Sequence, residues 1–171
     1  MARPASSGRE PSATRASLGQ ALILTLWLGA ALFFAAAVAP AAFDVLPSRD
    51  LAGALVGRTL PVVFISGALG ALLVLALEMA SVPRQRRVGR RAAAGVAIAA
   101  CLIAQLVVAP QIASLRASLS APLASLATDD PQRVAFGRLH MISVAWLGVA
   151  MLAATTGIAL ATLDIRSGGA R

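Results

Sequence analysis

The sequence predicts an all-α integral membrane four-helix bundle, and three observations lead there. Of its 171 residues, 58% are hydrophobic and 13% charged, with a mean hydropathy of +0.82, beyond what a water-soluble domain carries. The charged residues leave four uncharged windows, 16–43, 59–77, 92–115 and 139–163. Each holds close to the ~20 apolar residues that cross ~30 Å of hydrocarbon. Finally, Leu69 to Leu77 and Leu147 to Leu163 show almost no polar stripe, whereas a helix of a soluble bundle keeps one for water.

The arginines set the threading. The net charge of +8 comes from fifteen arginines and no lysine, and they cluster at the ends of the apolar runs. A nucleic-acid binder would gather them on one soluble face, so no nucleic-acid partner is expected. Pro83 to Arg91 (PRQRRVGRR) packs five arginines between the second and third runs. If the two termini share a side with this loop, that side holds ten arginines and the other five. The positive-inside rule then puts both termini in the cytoplasm. Arginine-only usage with much Ala, Gly and Pro points to a GC-rich bacterial genome and hence to a bacterial inner (plasma) membrane.

Taken in order, residues 1–17 read as a disordered, basic cytoplasmic lead. The membrane domain covers 18–165 and the tail 166–171 is again cytoplasmic. The first span is expected at about 18–39. Its Ala37-Val38-Ala39 ending looks like a signal-peptidase site, but the apolar run is too long for one, so the span is read as uncleaved. Trp27 near mid-span is expected to pack against other helices, with Gly29 allowing close approach. Pro40 is expected to end the span. Segment 41–58, with Phe43, Leu46, Leu51 and Leu55, reads as an interfacial piece.

The second span is expected at about 59–80, with Pro61 in its first turn, Ser66 and Gly70 as a small-xxx-small pair, and Glu78 in an interfacial salt bridge to the arginine loop. The third, about 92–109, ends at Pro110, and 111–127 reads as a second interfacial helix bent near Pro122. Asp130-Pro131 is a helix start signal, so the fourth helix runs from Pro131 to about Asp164, with its membrane part at 139–163. Val38-Ala39-Pro40 and Val108-Ala109-Pro110 mark a parallel repeat of two helical hairpins, its axis along the membrane normal.

Chemistry is sparse. His140 is the only histidine and shares a helix face with Phe136, Ser143 and Leu147. It reads either as a contact for a proton or solute, or as a hydrogen bonder that holds the bundle together. Haem would need more axial ligands than one histidine supplies, and the lone Cys101 and scattered methionines give no metal spacing, so no cofactor is expected. There is no catalytic motif and no carboxylate pair mid-span, so no enzyme is expected. Arg58, Arg116, Arg133 and Arg138 gather on the outer side with His140. They either hold an anionic headgroup or solute, or form a solvated rim paired with Asp44, Asp50, Asp129 and Asp130.

Trp27-Leu28-Gly29, Pro40-x-x-Phe43, Ala52-Gly53 with Leu60-Pro61-x-x-Phe64, and Phe136-x-Arg138-x-His140-x-x-Ser143 resemble the transmembrane-protein-205-like family, the bacterial domain of unknown function 4149. The resemblance runs from about Gln20 to Ile165. It implies a four-span membrane protein and, through a vertebrate member associated with tolerance of platinum drugs, export or vesicular handling of a toxic compound. The chain departs from the family pattern at Ala145 and Trp146, where polar residues follow the serine.

The candidate residues are therefore His140, Arg138, Ser143, Phe136, Arg58, Trp27, Pro40 and Phe43. The expected function is non-enzymatic: a structural or accessory membrane protein, or one that handles a small solute or lipid. The alternative is a small transporter conferring tolerance to a toxic compound. The expected partners are the bilayer, anionic headgroups or a solute, and a second copy or another membrane subunit.

Overall fold

The computed structural model describes residues 10–81, 87–119 and 121–168. The expected lead and tail lie outside these residues for 1–9 and 169–171, as does the loop at 82–86. The described residues form helices and turns with no strand. Among the described residues, four helical stretches are long and apolar enough to cross a membrane. The first joins α1 (Glu10–Phe33) through a π-helical turn (Phe34–Val38) to α2 (Ala39–Val45). The second is α3 (Arg49–Ser81). The third joins α4 (Arg87–Ile103) through a π turn (Ala104–Val108) to α5 (Ala109–Ala117), and the fourth is α6 (Pro131–Gly168).

The helices run up-down-up-down around a square. α1 packs on α3 and α6, and α4 packs on the same two, while α3 and α6 face each other across the middle with little contact. Each helix buries one stripe at spacings of three and four. On α6 this is Ser143, Leu147, Ala150, Ala154, Gly157 and Ala161, and on α4 it is Ala93, Ala94, Ala97, Ala100, Cys101 and Ala104 in the following turn. The stripes are dominated by alanine, which brings backbones close where lipid provides no hydrophobic drive between helices. Large residues point outward instead: Leu26 is 73% exposed and Leu152 71%.

The helix limits differ from the sequence reading for one physical reason. Proline has no N–H and its ring crowds the carbonyl four residues back, which should end a helix. Here the turn before each proline widens, so that Ala39 N–H bonds to Phe34 O and Ala109 N–H to Ala104 O. The π turn absorbs the misfit and the helix continues. Pro40 therefore lies inside the first stretch, which reaches Val45. The segment expected to be interfacial at 41–58 is divided between α2 and α3, and Pro61 lies well inside α3. In 111–127, α5 ends at Ala117 and is followed by irregular chain with one short 3-10 turn, Leu123–Ser125, rather than a helix bent at Pro122.

Both hairpins carry the same π turn before the same Ala-Pro pair. Helix α1 starts at Glu10, ahead of the expected limit of the lead at residue 17, and Ser17 is already buried against the bundle. Helix α6 starts at Pro131 as its cap signal predicts: Asp130 Oδ1 accepts a hydrogen bond from Gln132 N at 2.8 Å. Its 38 residues span about 57 Å at ~1.5 Å each.

Trp27 joins α1 to α3. Its indole Nε1 donates to Val63 O at 2.9 Å, and the ring lies over Gly67, where a Cβ would come within 2.6 Å of the indole. Gly67 is thus the position of close approach. A Cβ on Gly29 would meet nothing within 4 Å, contrary to expectation, and one on Gly70 would lie 3.4 Å from Ile23 Cγ2.

Candidate functional site

At the end of the bundle opposite the termini, a cavity of about 560 Å³ opens between α3, α5 and α6, within the range of small-molecule sites. Its walls come from α2, α3, the second π turn, α5, the 3-10 turn and α6. Leu60, Pro61 and Ile112 line it with apolar surface, with Phe64 and Ala104 buried behind them, and Arg49, Arg58, Arg116 and Arg133 bring four positive charges to it. Asp50 is the one carboxylate residue in the lining.

Arg116 reaches across from α5. Its guanidinium lies 5.1 Å from the centre of the Phe136 ring, a cation–π distance. On the other side it rests on the glycines of α3: a Cβ at Gly53 would fall 2.8 Å from Nη2, and one at Gly57 3.6 Å from Nη1. Gly53 and Gly57 are one turn apart, so together they form a notch sized for the guanidinium. Phe136 and His140, also one turn apart, stack with ring planes 5° apart and centroids at 6.4 Å. Arg133 Nη1 donates to Leu126 O at 2.8 Å, tying the irregular connection to α6.

Arg58, Arg116, Arg133 and Arg138 were expected either to hold an anionic headgroup or solute or to form a rim paired with nearby aspartates. Among the described residues, none of Arg49, Arg58, Arg116 and Arg133 has a carboxylate within ion-pair distance, and Asp130 serves as the α6 cap instead. Gln105 lies half-buried in the π turn on the cavity wall, and among the described residues its buried Oε1 accepts no hydrogen bond.

Of the residues proposed from sequence, Phe43, Arg58, Phe136, His140 and Ser143 line this cavity. Ser143 is 3% exposed, and His140 is exposed with the Phe136 ring as its stacking partner. Arg138 is exposed and does not line the cavity. Trp27 belongs to the α1–α3 contact, and Pro40 is exposed on the helix after the first π turn. Sequence reasoning missed Arg49, Gly53, Gly57 and Gln105. The signals were a glycine pair at helical spacing and a lone glutamine in an apolar run five residues before Pro110.

A second polar cluster lies at the end that carries the termini. Arg90 of α4 touches every other span: Nε is 2.7 Å from Glu78 Oε1 of α3, and Nη1 is 2.8 Å from Asp164 Oδ2 of α6 and 3.2 Å from Ser17 Oγ of α1. Glu78 is 1% exposed, so the salt bridge expected at the interface is buried. Gln20 beside it donates to Val74 O at 3.5 Å.

The profile described as Domain of unknown function (DUF4149) matches residues 22–121. The chain belongs to this family. The DUF4149 match covers α2, α3 and α5 and so includes the Gly53–Gly57 notch and Arg116, whereas Phe136, Arg138, His140 and Ser143 lie beyond it on α6. Neither a curated protein nor a solved structure matches the chain significantly.

Proposed function

We propose that this chain is a non-enzymatic membrane protein that holds a small solute or lipid in the cavity between α3, α5 and α6. The observation that carries this reading is an apolar cavity of about 560 Å³ with four arginines on its walls and no carboxylate paired to them among the described residues. Below the cavity, Ala31, Ala100, Leu147 and Ala150 pack together, so the polar lining stops short of the opposite end. A binding role fits that shape better than an open path for a toxic compound. The arginine division supports both termini in the cytoplasm and the cavity near the outer surface, and the arginine-only composition supports a bacterial inner membrane.

The test is a lipid and ligand mass spectrum of the gently purified protein, with Ala113→Trp placed to fill the cavity. The expected result is a bound molecule that the substitution expels. Identical spectra for both proteins overturn the reading.

One observation favours a second role as an accessory subunit. Ala92, Gly95 and Ala99 form an exposed small-residue strip on α4, where a partner helix packs closely. Crosslinking through a cysteine at Gly95 tests it, with capture of a second membrane helix expected and no crosslinked product arguing against it.

A further inference from the structure

We infer that the ligand of this cavity is an anionic amphiphile whose phosphate head seats on Arg116 while its apolar part lies against Leu60, Pro61 and Ile112. The inference rests on the binding role proposed above and gives it a chemical class.

Arg116 differs from a solvated surface arginine. Its guanidinium is set in the Gly53–Gly57 notch and covered on one face by Phe136, which fixes its position. An aromatic face satisfies the cation from above but accepts none of the in-plane N–H bonds. Among the described residues those donors find no protein acceptor and no carboxylate. A guanidinium held still, with its fork of donors free, is suited to bidentate binding of a phosphate. Arg49 and Arg58 stand on the same wall, and Asp50 is the one carboxylate there, so the walls favour an anion of more than one charge. A phosphate monoester carries nearly two negative charges and three strong acceptor oxygens.

The rest of the wall argues against a free inorganic ion. Leu60, Pro61 and Ile112 offer a phosphate nothing, and all three keep part of their surface open to the cavity. They match an acyl chain or a similar apolar group, whose burial is the main source of affinity in such pockets. Charge and apolar surface in one cavity fit a molecule that has both.

The experiment uses the full chain in a non-ionic detergent, with ligand retention read by native mass spectrometry and by thermal unfolding. The probes are a single-chain lysophosphatidate, the neutral monoacylglycerol of the same chain length, and inorganic phosphate. Lysophosphatidate is expected to be retained and to raise the unfolding temperature. Arg116→Met should lower its retention about tenfold or more, the loss expected for a charge-assisted hydrogen-bonded contact. Gly53→Ala keeps every charge but displaces the guanidinium, so it should also weaken retention, and it decides the matter if Arg116→Met fails to fold. Arg138→Met, on the same stretch of α6 but outside the cavity, should leave retention unchanged.

Equal retention of monoacylglycerol, or equal losses in Arg116→Met and Arg138→Met, overturns the anionic class while leaving a cavity for neutral amphiphiles. Competition by inorganic phosphate at equal concentration overturns the amphiphile and leaves a free-anion site. Retention of no probe, together with no effect of Ala113→Trp on the bound molecules, overturns the binding role itself.

Discussion

Arg90 Nε lies 2.7 Å from Glu78 Oε1, and both side chains are at most 3% exposed, so a charged pair from two different spans is buried where the bundle closes. The same guanidinium reaches Asp164 and Ser17, which makes Arg90 the one side chain described that bonds to all three other spans. Removing Arg90 takes a buried cationic partner from both Glu78 and Asp164. Arg90→Met is therefore expected to destabilise the protein by about 3 kcal/mol or more, measured by thermal or denaturant unfolding in detergent. Glu78→Gln in the same chain should recover part of that loss. Strict additivity of the two substitutions would show that they do not act on one another.

The contact of Trp27 with Gly67 gives a steric prediction. Gly67→Ala would put a Cβ within 2.6 Å of the indole, so overpacking should cost roughly 1–3 kcal/mol. Trp27→Phe keeps most of the ring but removes the hydrogen bond to Val63 O, with an expected loss of roughly 0.6–2 kcal/mol. Gly29→Ala, with open space around it, should be neutral. Unfolding midpoints of the three variants check the order.

His140 gives a prediction of small effect. A histidine that held helices together by hydrogen bonding would tolerate glutamine and suffer from leucine. Here the ring is exposed and stacked on Phe136. Both His140→Gln and His140→Leu should shift stability by less than ~0.5 kcal/mol. Phe136→Ala, which loses that stack and the contact with Arg116, should cost about 1 kcal/mol. A large loss for His140→Leu alone would restore the helix-holding role.

Threading is checked with reporters. One fused after Arg171 should report the cytoplasm and one inserted at Thr128 the opposite side, because of the ten-to-five arginine division. Both on one side would end the arrangement. Replacing Arg84, Arg86, Arg87 and Arg91 by Asn should give mixed orientation. Arg90 is left in place because its guanidinium is part of the buried cluster, and its loss would confound threading with unfolding.

By itself the sequence determined that four apolar helices form, because window length and the positions of arginine report directly on the lipid solvent. Asp130-Pro131 fixed the start of α6, since a cap depends on neighbouring residues alone. What it left open was which face of each helix turns inward. In lipid both faces are apolar, so the periodicity that betrays the core of a soluble helix is nearly absent. Leu26 points out and Leu24 in, although the two are equally hydrophobic. The tertiary structure decided this by size, placing alanine and glycine where backbones meet. It also let both helices pass their prolines through π turns, which no local rule at Pro40 or Pro110 foretells. Finally, it brought Gly53, Gly57, Arg116 and Phe136 together from three spans into one wall, a relation set by helix packing and invisible in the spacing of any one segment.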